Sequence, residues 1–153
     1  MTEREVLTWE LYGEAAGLLS KQVLASGFVP DVVLGIARGG LIPAASVAYA
    51  IDCKNLFTMN VEFYTGEGTT LEAPIFLPPL LDVAELDDLT VLVVDDVADS
   101  GETLKLVTEF CRPRAAEVRS AVLYEKSASI VKPDFAWRHT DLWIEFPWSS
   151  NLP

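Results

Sequence analysis

Residues 91–94, Val-Leu-Val-Val, form an apolar run that ends in two adjacent carboxylates, Asp95 and Asp96. A third acid, Asp99, follows, and then Ser100-Gly101-Glu102-Thr103 leads into a helical pattern. Four β-branched or leucine side chains in a row suit a strand covered on both faces, the environment of a parallel sheet. Acids at the end of such a strand stand on the carboxyl edge of the sheet, where open α/β folds bind ligands. The loop behind them offers backbone N–H groups, two hydroxyls and a helix N-terminus, which suit a phosphate monoester. Acids beside a phosphate cradle call for a ribose diol or a hydrated metal between them. The segment therefore reads as a sugar-phosphate pocket.

The length of 153 residues predicts a single domain with a real core. Half of the residues are hydrophobic, and no apolar run approaches the roughly 20 residues of a membrane span. The charged start, Met1-Thr2-Glu3-Arg4-Glu5, lacks the apolar stretch of a signal peptide. Cys53 and Cys111 stand apart without metal-ligand spacing, so a reducing, cytoplasmic setting is expected. A net charge of −12 argues against nucleic acid and anionic membranes as partners. The charge is unevenly spread. Residues 55–104 hold eleven of the 23 acids and no lysine or arginine, so an anionic ligand there must find its countercharge elsewhere.

Thr8 suits an N-cap, with Leu11, Ala15, Leu18, Leu19 and Val23 at helical spacing and Gly27 closing the helix. Asp31–Ala37 reads as a buried strand, Arg38-Gly39-Gly40 as a tight turn, and Leu41–Ile51 as a helix with Pro43 in its first turn. Leu56–Tyr64 reads as a strand, and the Gly- and Pro-rich residues 65–82 as a long loop or flap. After the acidic strand, a helix is expected over Glu102–Phe110, with Pro113 beyond its end. Glu117–Tyr124 and Thr140–Phe146 complete the strands. Strands alternating with helices predict a parallel α/β sheet flanked by helices.

A strand ending in two acids also resembles the opening of receiver domains, where paired acids hold magnesium. Only 57 residues follow Asp96, too few for the rest of that fold, and the Ser/Gly/Thr loop would have no role there. The patterns of a P-loop and of a dinucleotide-binding turn are absent. Val91–Thr103 instead resembles the phosphoribosyl-pyrophosphate (PRPP) signature of type I phosphoribosyltransferases. Ile36-Ala37-Arg38-Gly39-Gly40-Leu41-Ile42-Pro43, Tyr124-Glu125-Lys126 and Trp143-Ile144-Glu145-Phe146-Pro147-Trp148 extend the resemblance, closest to the xanthine-guanine enzymes.

The resemblance implies a parallel-sheet core with a small flap at about 65–82 and a base-binding hood at about 126–153. It implies transfer of the 5-phosphoribosyl group of PRPP to a 6-oxopurine with release of pyrophosphate, in nucleotide salvage. Asp95 and Asp96 would hold the ribose hydroxyls, directly or with Mg²⁺. Asp99, Ser100, Gly101, Glu102 and Thr103 would wrap the 5′-phosphate. Arg38 and Gly39 would bind pyrophosphate, with a cis peptide expected at Ala37–Arg38. A guanidinium suits that anion because it bonds two oxygens at once. Lys126 would read the purine 6-oxo group, Trp143 would stack on the ring, and Ile144 would lend its main chain. Asp99 would face N7, as a base or as a positioning group. A lysine donates to a carbonyl but meets the amino group of adenine poorly.

The chain departs from the family pattern in two places. Phe63-Tyr64 stands where a Ser-Tyr pair is usual, and residues 65–82 contain no cation. Ser149-Ser150 stands where many relatives carry an acid. Such a flap would have to close through apolar contacts, backbone N–H groups or a neighbouring subunit. The alternatives kept open are a phosphoribosyltransferase-fold regulator that binds PRPP or nucleotide without turnover, and a transferase for another base. Apolar helices and four tryptophans suggest a homo-oligomer, a dimer or tetramer.

Overall fold

The computed structural model describes residues 3–63, 74–77 and 82–149. Six strands form one sheet: β2 (Val32–Ala37), β3 (Leu56–Phe63), β4 (Pro74–Leu77), β5 (Thr90–Ala98), β6 (Glu117–Glu125) and β7 (Phe135–His139). Their spatial order is β4-β3-β2-β5-β6-β7, and every pairing is parallel except β3 with β4. Helices α1 (Trp9–Ala25) and α2 (Leu41–Ala50) cover one face, and α3 (Glu102–Cys111) covers the other. A second, two-stranded parallel sheet joins β1 (Arg4–Val6) to β8 (Trp143–Glu145).

The apolar run of β5 behaves as its composition demands. Leu92 and Val94 face the α1 and α2 layer, Val91 and Val93 face α3, and all four are fully buried. This is the two-residue alternation of a strand with a core on each side. Helix α2 packs closely on β2, because a Cβ on Gly35 would lie 2.8 Å from the Cβ of Ala44. Thr8 caps α1 by accepting the Leu11 N–H at 3.1 Å, and Gly27 follows the helix at φ 79°.

Three elements differ from the sequence expectations. The expected last strand, 140–146, is only Trp143–Glu145, and it leaves the main sheet to pair with β1. An ion pair between Arg4 and Glu145 and a 2.9 Å bond from the Leu7 N–H to the Glu145 carbonyl hold it there. The edge strand β7 was not expected at all. Of its five residues only Phe135 is buried, and Arg138 lies over the Trp137 ring while pairing with Glu5. Charge on an edge strand hides the alternation on which strand reading depends. Within the expected loop of residues 65–82, Pro74–Leu77 is a strand antiparallel to β3, with proline at its first position. The rest of that segment apart from Asp82, together with Tyr64, Ser150 and the residues after it, lies outside the described residues.

Candidate active site

The site forms where β2, β5 and β6 end together. On β5, Asp95 is buried, and its Oδ1 accepts the N–H of Asp96 at 2.9 Å. Asp96 is half-buried, and its Oδ1 accepts the N–H of Val97 at 2.8 Å. Burial raises the proton affinity of both carboxyls, and for Asp95 the neighbouring Asp96 charge raises it further. A bond from the Trp148 side chain to Asp96 works in the other direction. Two adjacent carboxyls held in this way favour a ligand that brings positive charge or hydroxyl donors.

The turn after β2 closes against Asp96. The Ala37–Arg38 peptide is cis, where the resemblance expected it. Gly40 N–H donates to Ile36 C=O at 2.8 Å, and Leu41 N–H to Arg38 C=O at 3.1 Å. No side chain fits at residue 39, since a Cβ there would lie 2.0 Å from Asp96 Oδ2. A Cβ on Gly40 would lie 2.5 Å from the Ile36 carbonyl and 2.8 Å from that of Val94. Exposed Arg38 opens a hollow of about 510 Å³ lined by Gly39, Ile42, Asp96, Phe146, Trp148 and Ser149.

A second hollow of about 230 Å³ follows the loop from Asp95 to Leu104 and includes Asp99, Ser100, Gly101 and Thr103. Gly101 caps α3 at φ 83°, which glycine adopts without strain, and Ser100 Oγ accepts the Glu102 N–H at 3.3 Å. The exposed side chain of Glu102 does not line this hollow, so its contribution is the backbone at the helix start. A third hollow, also about 230 Å³, is lined by Val97, Asp99, Lys126, Trp143, Ile144, Phe146 and Ser149. Lys126 Nζ lies 3.8 Å from Asp99 Oδ1, with the lysine 15 % and the aspartate 67 % exposed. Trp143 is 65 % exposed and Ile144 is buried. The three hollows adjoin through shared residues: Asp99 in two, Asp96 in two, and Phe146 and Ser149 in two.

The fold thus gathers Arg38, Gly39, Asp95, Asp96, Asp99, Ser100, Gly101, Thr103, Lys126, Trp143 and Ile144 at one sheet edge. Sequence reading did not assign Trp148, although the Pro-Trp that ends the motif marks it. Its ring stacks on Phe146 at 5.0 Å and meets Tyr12 edge-on at 5.5 Å, and the Tyr12 hydroxyl bonds to Ser46 at 2.5 Å. An indole held in this way cannot swing aside without breaking the aromatic row. A further hollow of about 380 Å³, lined by Ala48, Tyr49, Cys53 and Leu56, lies at the opposite end of the sheet and holds none of these groups. Among the described residues, no helix is long and apolar enough to cross a membrane.

A parallel sheet with an acid pair at its carboxyl edge, a Ser-Gly loop opening a helix and an Arg-Gly-Gly turn are the features of a phosphoribosyl-transferring enzyme, and the comparisons with known proteins show that class. The family described as phosphoribosyl transferase domain matches residues 4–153, and the chain belongs to it. Among curated relatives, the xanthine-guanine phosphoribosyltransferase of Gluconobacter oxydans is 33 % identical, over 94 % of this chain and 83 % of its own length. That of Nitratidesulfovibrio vulgaris is 32 % identical, over 95 % of this chain and 85 % of its own. The purine phosphoribosyltransferase structure from Pyrococcus horikoshii superposes at a TM-score of 0.85 with 36 % identity, covering 98 % of this chain and 95 % of that one. A hypothetical protein from Neisseria gonorrhoeae with bound ppGpp superposes at 0.83 with 26 % identity, covering 98 % and 91 %.

Proposed function

We propose that the protein transfers the 5-phosphoribosyl group of PRPP to a 6-oxopurine (guanine, xanthine or hypoxanthine), releasing pyrophosphate in purine salvage. One observation carries this reading: the Lys126 ammonium shares a small hollow with Asp99, exposed Trp143 and buried Ile144. An ammonium donates and cannot accept, so it bonds a ring carbonyl and disfavours an amino group at the same position. Trp143 offers the stacking face, and Ile144 offers its main chain to the purine edge. Relatives named as xanthine-guanine and purine phosphoribosyltransferases support the choice of base.

In this reading the C1′–O bond to pyrophosphate breaks as a C1′–N bond to the base forms. Asp99 faces N7 of the base and accepts its proton or fixes the imidazole edge, with the Lys126 ammonium 3.8 Å from its carboxylate. Ser100, Gly101 and Thr103, with the start of α3, hold the 5′-phosphate through N–H and hydroxyl donors. Arg38 and the small Gly39 receive the leaving pyrophosphate. Asp95 and Asp96 hold the ribose hydroxyls.

Magnesium uses one or two protein carboxylates and completes its shell with water and substrate phosphates. Two carboxyls that burial makes reluctant to ionise alone fit that donor set, and among the described residues no cluster of three or more ligating groups competes. Bound with PRPP, the ion supplies positive charge to the leaving group. The chain works in the cytoplasm as a single domain and a homo-oligomer, with residues 65–82 as flap and 126–153 as hood.

Incubation with PRPP, Mg²⁺ and each of guanine, xanthine, hypoxanthine, adenine, orotate and uracil tests the proposal. Pyrophosphate release is expected with the oxopurines. Release with none of the bases refutes transfer, and release with adenine or a pyrimidine alone refutes the role of Lys126. The ppGpp bound to the Neisseria gonorrhoeae neighbour makes a guanine nucleotide a second ligand to test in the same assay, as a competitor of PRPP.

A further inference from the structure

We infer that Ser127 and Asp141 form a clip that sets the distance between the lysine and the tryptophan of the base pocket; this rests on the reading of that pocket given above. The two walls of the pocket come from separate segments. Lys126 follows β6 directly, and Trp143 opens β8 after the chain has left β7. The β6–β7 ladder closes where the Thr140 N–H donates to the Glu125 carbonyl at 3.1 Å. Past that bond, Asp141 reaches across. Its Oδ1 accepts the Ser127 N–H at 2.8 Å and its Oδ2 accepts the Ser127 hydroxyl at 2.8 Å.

One carboxylate therefore engages both donors of one residue, a two-point attachment that fixes orientation as well as distance. Ser127 adjoins Lys126, and Asp141 stands two residues before Trp143, so the attachment is next to both functional side chains. The Ser127 hydroxyl has one proton and gives it to Asp141. The same hydroxyl lies 3.0 Å from His139 Nε2. Ser127's two bonds, the backbone one foremost, hold the Asp141 carboxyl below the usual carboxylate range, and the charges of His139 and Lys126 act in the same direction.

The lysine side of the pocket has other supports. Lys126 N–H donates to Ala98 C=O at 3.1 Å, and Ile130 N–H to Ser100 C=O at 2.8 Å, so this loop is tied to the strand that bears the acids. The tryptophan side depends on β8 at one end and, at the other, on Asp141 and a 3.2 Å bond from the Leu142 N–H to Thr140 Oγ1. Ser127, His139 and Asp141 are all exposed, so the clip adds little to global stability. Its effect falls on the geometry of the pocket. Ser127 and Asp141 are positioning residues and touch neither base nor ribose.

The test compares Asp141→Ala, Ser127→Ala and Ser127→Thr with the full-length wild type. Unfolding temperature, KM for guanine, KM for PRPP, kcat and amide hydrogen exchange over residues 142–144 are measured. Loss of the clip is expected to raise the guanine KM about tenfold while kcat and the PRPP KM stay within about twofold. The unfolding temperature stays within about 2 °C. Exchange at residues 142–144 accelerates, and Ser127→Thr, which keeps the hydroxyl, restores the wild-type guanine KM. Unchanged exchange and guanine KM in Asp141→Ala overturn the inference. So does a general loss, with lower kcat, higher KM for both guanine and PRPP and a lower unfolding temperature, which marks a merely structural contact. Should the wild type release no pyrophosphate with any oxopurine, the transfer reading fails, and the exchange measurement still decides whether the clip holds the pocket.

Discussion

Gly39→Ala is the sharpest probe of the contact between the Arg-Gly-Gly turn and the acid pair. The added methyl would lie 2.0 Å from Asp96 Oδ2, and ordinary contact begins at 3.4 Å, so some atom must move by 3.4 − 2.0 = 1.4 Å. The Asp96 main chain resists that shift, because its neighbours Asp95 and Val97 are both paired with β6. The carboxylate must therefore turn away, losing its bond to the Val97 N–H, or the turn bearing Arg38 must lift. Either outcome separates the proposed ribose anchor, Asp96, from the proposed pyrophosphate anchor, Arg38. A misplacement of about 1 Å in a catalytic site can cost on the order of 100-fold in rate, and kcat/KM for PRPP is expected to fall by about that factor. Overpacking costs about 1–3 kcal/mol of stability, which a thermal melt would register. Gly13→Ala is the internal control. Its position on α1 has no atom within 4 Å of the added methyl, so activity stays at the wild-type level and the helix gains up to about 1 kcal/mol. Steady-state kinetics at varied PRPP decides the matter. A Gly39→Ala enzyme within about threefold of wild type would refute the claim that Asp96 and the turn are locked together.

Lys126→Met keeps the length of the side chain and removes the donor. Loss of a bond to a charged group predicts about a 10–100-fold fall in kcat/KM for oxopurines, with adenine turnover unchanged or higher. Asp95→Asn tests the buried pair through pH. Its folded proton affinity lies above the unfolded value, so the native state holds the extra proton, and ligand-free stability falls as pH rises through that interval. Above that interval the full cost is present. At neutral pH the variant should melt at a higher temperature, with a flatter dependence of melting on pH and weaker PRPP binding. A lower melting temperature would show that the carboxylate is compensated in the free enzyme. Trp148→Phe removes the donor to Asp96 but keeps the stack on Phe146, and should weaken PRPP more than guanine in a KM comparison.

What could be read from the chain follows physical rules. β2, β5 and β6 are central strands, so their burial is written as continuous apolar runs, and α1 announces itself through Thr8 and Gly27. β1 and β8 are three residues each and carry charge, and neither has a pattern until it meets the other. The candidate site was legible where each of its residues follows a readable strand: the turn after β2, the acids of β5 and the lysine after β6. Trp148 and the Ser127–Asp141 contact were not, because their meaning lies in closeness across the fold. Ser127 and Asp141 are 14 positions apart, with a whole edge strand between them.

The pairing of β1 with β8 reaches beyond architecture. Trp143 and Ile144, which line the proposed base pocket, are held in register by Arg4 and Glu5, and Glu5 also grips Arg138 of the neighbouring edge strand. Residues 4–6 therefore act as the hinge pin of the proposed recognition surface. Trimming them through residue 6, or fusing a bulky partner close to them, should be felt as altered choice among bases well before it is felt as loss of fold. Two stretches some 140 residues apart in sequence thus form one unit, and a change at residue 4 reaches the pocket through residue 143.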